Sequence, residues 1–210
     1  MISIALIGGT GTGKSTVAAY LKEHYGAVWL DCDAIGHELL NEPIIQTQLI
    51  DRFGTEILND PAATDKTVNR QKLGAIVFSD SQALTDLNAL LHPPIMSRLR
   101  QEQIHAEKTG VPICVLDGAL LMDVNIRQMV DEVWAITADK ELRMERLMKG
   151  RQIPRARAEQ IMQNQISAEA YATYADRVIN TDHGEQGYAK TIEQILSLDK
   201  WKNKRKYEHK

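Results

Sequence analysis

Ile2-Ser3-Ile4-Ala5-Leu6-Ile7-Gly8-Gly9-Thr10-Gly11-Thr12-Gly13-Lys14-Ser15-Thr16 opens with a short, largely apolar run and continues into an octet, Gly8 to Ser15, that satisfies G-x-x-x-x-G-K-[ST]. The order is that of a buried strand, a tight loop and a helix start, which is the context the motif requires. Glycines let successive backbone N–H groups turn inward and cradle phosphate oxygens, and the helix that follows adds the positive end of its dipole. Lys14 is then placed to reach the terminal phosphates, Ser15 to offer its hydroxyl to Mg²⁺, and Thr16 to bond the α-phosphate. Gly9, Thr10, Gly11, Thr12, Gly13, Lys14, Ser15 and Thr16 are therefore the expected ATP-binding residues. A glycine-rich turn that only packs a helix on a sheet is the competing explanation, and it has no use for Lys-Ser at this offset.

Working outward, further short apolar segments occur at 28–30, 111–116, 133–136 and 178–179, each suited to a parallel strand covered on both faces. Helical patterning lies between them, at 14–25, in several pieces within 34–108, and at 139–150, 154–173 and 186–198. Strands alternating with helices predict an α/β chain: a P-loop NTPase-type three-layer α/β/α core with a five-stranded parallel sheet. About eighty residues separate the second and third strands, far more than one crossover helix needs, so a helical substrate-binding insert is expected at 34–108. The stretch 139–173 carries Arg143, Arg146, Arg151, Arg155 and Arg157 around Gly150 and Pro154, and reads as a small helical lid. The expectation is a single domain with its core at 1–33, 109–138 and 174–200, and a basic tail at 201–210.

Composition narrows the partners. With 210 residues, 43% of them hydrophobic, the chain can bury a full core, and a net charge of −3 gives neither a nucleic-acid-binding nor a disordered bias. Cys32 and Cys114 form no C-x-x-C pair, which fits a reducing cytoplasm, and the apolar opening is too short for a signal peptide or membrane span. The six histidines show no metal-ligand spacing, so Mg²⁺ is expected to arrive with the nucleotide. The tail, with Trp201 and Tyr207 among lysines, reads as solvated; a nucleic-acid or membrane role would need an apolar face that it lacks. Neither nucleic acid nor membrane is an expected partner, and the chain is expected as a monomer or weak homo-oligomer.

Carboxylates supply the remaining chemistry. Asp117 ends the third apolar segment, where it can hold Mg²⁺ directly or through water, or cap the following turn. Asp31 and Asp33 follow the second segment, at the strand ends where ligands bind in open parallel sheets. A carboxylate there can take the proton of an attacking hydroxyl, and it can equally N-cap a helix. The general-base reading suits Asp33, and the cap or supporting reading suits Asp31.

At this point the residues resemble the dephospho-coenzyme A kinases over nearly the whole chain. The family opening G-G-x-G-[ST]-G-K-S-T stands as Gly8 to Thr16, and its D-x-D motif as Asp31-Cys32-Asp33. Its insert motifs are similar to Arg70-Gln71-Lys72-Leu73, Val77-Phe78 and Leu87-Asn88-Ala89-Leu90-Leu91-His92-Pro93. The resemblance implies ATP-dependent phosphorylation of the ribose 3′-hydroxyl of dephospho-coenzyme A, with Asp33 as base and Lys14 and lid arginines as the cationic machinery. It further implies substrate contacts at Asp31, Asp33, Arg70, Leu87, His92 and Leu120. His92, before Pro93, is expected in extended backbone at a helix break, where it either contacts substrate or makes a structural bond. Arg70 either binds a substrate phosphate or pairs with an acid.

The sequence departs from the family pattern in three places. Ala119 stands where a proline precedes Leu120-Leu121, with Asp123 as the acid beyond. Gly150 stands where the lid pattern R-x-x-x-R, counted from Arg146, has its second arginine, with Arg151 next to it. Arg143, Arg146 and Arg151 are thus the candidates for the transition-state clamp; each could instead be a solvated partner of Glu141 or Glu145. Asn180-Thr181 replaces an aspartate-asparagine pair after the last strand, leaving any adenine contact there open.

Overall fold

A computed structural model describes residues 1–63 and 66–198, apart from the side chain of Arg151. The basic tail expected at 201–210 lies outside the described residues. Five strands, β1 (Ile2–Ile7), β2 (Val28–Asp31), β3 (Ile113–Asp117), β4 (Glu132–Thr137) and β5 (Arg177–Asn180), form one sheet in the order β2-β3-β1-β4-β5. Every pairing is parallel. All six residues of β1 and all five of β3 are buried, the signature of strands covered on both faces, and hence of the expected layered α/β fold. From β1 the chain builds β2 and β3 on one side and later β4 and β5 on the other. The strand order therefore reverses at β1, and the crevice beyond its C-terminal end is the topological switch point where open sheets bind ligands.

Helix α1 (Lys14–Tyr25) follows the glycine loop and packs Val17, Ala18 and Leu21 into the main core with Ile4, Leu6, Val115, Trp134 and Ile136. Helix α9 (Gly184–Leu196) adds Tyr188, Ile192, Ile195 and Leu196 to the same cluster. Spacings of three and four recur among these residues in both helices, as an amphipathic face demands.

The chain divides into two compact units, Met1–Asp31 with Gln103–Lys210, and Cys32–Glu102. The second holds α2 (Cys32–Leu39), α3 (Pro43–Phe53), α4 (Arg70–Val77) and most of α5 (Ser81–Lys108). Its own core joins Leu49, Phe53, Ile57, Leu58, Leu73 and Val77.

Two expectations are corrected here. Helix α5 runs unbroken through Pro93 and Pro94, so His92 sits inside a helix and not in extended backbone. The prolines deprive the carbonyls of Ala89 and Leu90 of their helical donors, a cost of about 3 kcal/mol for each interior proline. Packing outweighs it: Leu84, Leu87, Leu90 and Leu91 lie against the second core, while Ile95 and Leu99 are buried farther along.

The stretch 154–173 is two helices, α7 (Arg155–Gln163) and α8 (Ala168–Tyr174), after α6 (Lys140–Arg151). Ser167 ends the first pattern by capping the next helix, its hydroxyl accepting from Ala170 N at 3.2 Å. Residues 164–167 thereby leave helical register.

Candidate active site

Positive φ at three glycines shapes the loop. Gly8, Gly11 and Gly13 have φ of 145°, 82° and 93°. A Cβ on Gly8 would fall 2.4 Å from the Ile136 carbonyl oxygen in β4, so any side chain there would push the loop off the sheet. Thr12 staples the turn from within, its Oγ1 donating to Gly9 O at 2.9 Å. Gly13 caps α1 without a side-chain bond, and no acid occupies the first turn, so the N-terminal amides and their dipole face an anion unopposed. Lys14 Nζ donates to Gly8 O at 2.9 Å, which lays the ammonium back over the loop.

The end of β3 meets the start of α1 at a polar pair. Ser15 Oγ donates to Asp117 Oδ2 at 3.2 Å, although the two residues are 102 apart in sequence. Sheet register explains the meeting: Asp117 pairs with Leu6 on one side and with Asp31 on the other, so it reaches the C-terminal rim beside the loop. Asp117 is only 6% exposed. A hydroxyl and a carboxylate are the hard oxygen donors that Mg²⁺ takes alongside phosphate oxygens and water, and so the residues present fit that ion.

Two arginines of α6 close over the other rim. Arg146 Nη1 donates to Gly11 O at 3.1 Å and to Thr181 Oγ1 at 2.9 Å, and its Nη2 donates to Thr181 O at 3.1 Å. Thr181, 2% exposed, donates its own hydroxyl hydrogen bond to Thr12 O at 2.7 Å. Arg143 Nε donates to Thr10 O at 3.1 Å. Burial lowers the Arg143 pKa, and neighbouring Tyr171 acts in the opposite direction. Burial likewise raises the Tyr171 pKa, against the pull of Arg143.

The glycine loop, Lys14, Ser15, Asp117, Arg143 and Arg146 thus gather in one unit. Asp31 lies at its rim as the register neighbour of Asp117. Leu120 is buried in the turn Ala119–Met122 that follows β3. Gly150 leaves open space around it, and the side chain of Arg151 lies outside the described residues. In the second unit, Asp33 is exposed in the first turn of α2, and Arg70 is the exposed first residue of α4. Asn69 caps that helix by accepting from Gln71 N and Lys72 N. Leu87 and His92 are half-buried on α5.

Sequence reasoning missed two residues. Thr181 entered only as a departure from a motif, yet it joins Arg146 to Thr12. Gln165 did not enter, because 154–173 read as one continuous helix with no signal for the break that frees it.

This geometry agrees with what the whole sequence matches. A family profile described as dephospho-CoA kinase covers residues 2–186. The chain belongs to the dephospho-CoA kinase family. Within that family, it is 34% identical over 179 residues to a dephospho-CoA kinase of Dehalococcoides mccartyi, covering 85% of this chain and 88% of the relative. It is also 34% identical over 202 residues to that of Carboxydothermus hydrogenoformans, covering 95% and 94%. A crystal structure from Thermus thermophilus, 24% identical, superposes with a TM-score of 0.78 over 93% of this chain and 96% of that one, which supports the fold.

Proposed function

We propose that this chain transfers the γ-phosphoryl group of ATP to the ribose 3′-hydroxyl of dephospho-coenzyme A, forming coenzyme A and ADP. The observation that carries the phosphoryl-transfer half is the Ser15–Asp117 contact beside an anion-binding loop. Membership of the dephospho-CoA kinase family supports the acceptor.

The loop amides and α1 N-terminus bind the β- and γ-phosphates, and Lys14 swings from Gly8 O to the γ-phosphate as charge builds there. Ser15 and Asp117 would hold Mg²⁺, which would supply positive charge to offset that of the phosphates during transfer. Asp33, in the first turn of α2, accepts the proton of the attacking 3′-hydroxyl. The new bond joins that oxygen to the γ-phosphorus, and the bond to the β–γ bridging oxygen breaks, releasing ADP. Arg143 offers three of its five N–H groups to the transferring group, two being bonded to Thr10 and Gln165. Arg146, tied to Gly11 and Thr181, holds the loop against the segment after β5. Arg151 is the third arginine of the proposed clamp.

Asp31, Arg70, Leu87, His92 and Leu120 complete the proposed acceptor side, with Arg70 directed to the pyrophosphate of the substrate. The unit Cys32–Glu102 is the proposed acceptor domain, and α6 to α8 the proposed lid. The buried thiols Cys32 and Cys114, neither of them in a disulfide, support a reducing cytoplasm as the location. Among the described residues no helix is long and apolar enough to cross a membrane.

An acceptor panel tests the reading. With Mg²⁺ and ATP, ADP release is expected to rise with dephospho-coenzyme A and not with adenosine, AMP, CMP or shikimate. A preference for one of those others would overturn the substrate assignment.

A further inference from the structure

We propose that Gln165 is a positioning residue of the phosphoryl-transfer site, holding Arg143 at the rim of the loop nearest the γ-phosphate; this inference rests on the kinase reading above. The carboxamide of Gln165 engages the loop at both ends. Its Oε1 accepts from Thr10 N at 3.0 Å and from Arg143 Nη2 at 2.9 Å, and its Nε2 donates to Thr10 Oγ1. Arg143 closes the ring by donating from Nε to Thr10 O. Three side chains and the backbone N–H and C=O of Thr10 therefore fix each other within a cycle of hydrogen bonds.

A second observation points to the same assembly. Gly9 has no positive φ to justify it, and what it provides is room. A Cβ at that position would lie 2.3 Å from Arg143 Nη2 and 2.7 Å from Gln165 Oε1. The loop is cut away where the arginine–glutamine pair sits. Chain geometry contributes too, since only the break between α7 and α8 lets Gln165 leave the helical surface and reach the loop, 155 residues away in sequence.

The chemistry favours an amide in this place. Gln165 accepts from Arg143 without carrying charge, so the guanidinium stays pointed while its positive charge is left for the transferring group. Partial burial strengthens such bonds and raises the cost of leaving the guanidinium unaligned. An unrestrained arginine has many rotamers, and misplacing a charge-stabilising group by about an ångström can cost roughly a hundredfold in rate.

A double-mutant cycle of Gln165→Ala, Arg143→Ala and both together tests the proposal by two readouts. In turnover with ATP varied at saturating dephospho-coenzyme A, Gln165→Ala should lower kcat by about 10- to 100-fold with KM for ATP changing by less than about threefold. The double variant should be no slower than Arg143→Ala. In calorimetry with Mg²⁺, affinity for ADP should hold in all three variants. The gain in ADP affinity on adding aluminium fluoride, a mimic of the transferring group, should be lost in all three to the same extent. Losses that multiply in the double variant, or a Gln165→Ala enzyme within twofold of wild type, would overturn it. The fluoride arm needs no acceptor, so a wild type that fails to phosphorylate dephospho-coenzyme A sinks the substrate reading and still leaves Gln165 judged. Should Gln165→Ala not fold, Gly9→Ala carries the test, because its Cβ displaces the same pair: the same selective loss is expected, and normal fluoride-dependent affinity would overturn the proposal.

Discussion

Ser15 Oγ lies 3.2 Å from Asp117 Oδ2, which ties the first turn of α1 to the last residue of β3. One residue comes from the end of the glycine motif at the start of α1, and the other from a strand held in parallel register between β1 and β2. The fold thus brings together two oxygen donors that neither segment could supply alone, and the chemistry proposed above starts from that pair.

Asp117→Asn keeps the shape of the side chain and removes the charge proposed to face Mg²⁺. Turnover should fall by roughly a hundredfold or more, and the Mg²⁺ concentration giving half-maximal rate should rise. Steady-state kinetics over a Mg²⁺ titration checks this; an unchanged Mg²⁺ dependence would remove Asp117 from the metal site.

Asp33 is proposed to accept the acceptor proton, so Asp33→Asn should lower kcat by about 10²- to 10⁴-fold. ATP affinity, measured by calorimetry, should change little, because the nucleotide is proposed to be held by Gly9 to Thr16. Loss of ATP binding together with turnover would point to a structural role in α2.

Thr181→Val deletes a hydroxyl that donates to Thr12 O at 2.7 Å and accepts from Arg146 at 2.9 Å. Leaving those buried and half-buried partners unmatched costs about 1–3 kcal/mol. For a domain of this size each kcal/mol lowers the melting temperature by roughly 2–4 °C. The same variant should raise KM for ATP, since the loop loses its tie to the segment beyond β5. A melting temperature and KM both unchanged would contradict the role assigned to the Arg146–Thr181 pair.

Cys114 is buried in β3, and desolvation pushes its thiol up from 9.0 to about 12. In the unfolded chain the thiol loses its proton above its ordinary value, while the folded chain keeps it. Its contribution to stability is therefore intact below pH 9.0 and is lost as pH rises toward 12. The slope contributed in that window is at most about 1.4 kcal/mol per pH unit. Urea denaturation of Cys114→Ala should show a shallower alkaline decline than wild type, whatever the two stabilities at neutral pH; equal slopes would refute the assignment.

The parts of the site built from contiguous residues were legible in the sequence. A glycine loop between an apolar strand and a helix announces itself, because backbone geometry and phosphate chemistry demand those residues at that spacing. Asp117 was legible for a related reason: it terminates an apolar segment, and strand ends beside such a loop converge. Helix α5 misled because a His-Pro-Pro sequence argues locally for a break, whereas a long leucine face against the second core decides otherwise. Gln165 and Thr181 were hidden because their roles depend on partners more than 150 residues away. Hydrogen bonds of that span leave no local pattern, and glutamine and threonine are ordinary surface residues until the fold places them.

The central claim is transfer to the 3′-hydroxyl, and the position of the new phosphate tests it most directly. Purified protein incubated with Mg²⁺, ATP and dephospho-coenzyme A should yield a product whose ³¹P NMR spectrum gains one monoester resonance coupled to the ribose 3′ proton, with ADP formed in equal amount. A monoester at the 2′ position, or ADP formed without any phosphorylated acceptor, would contradict the account.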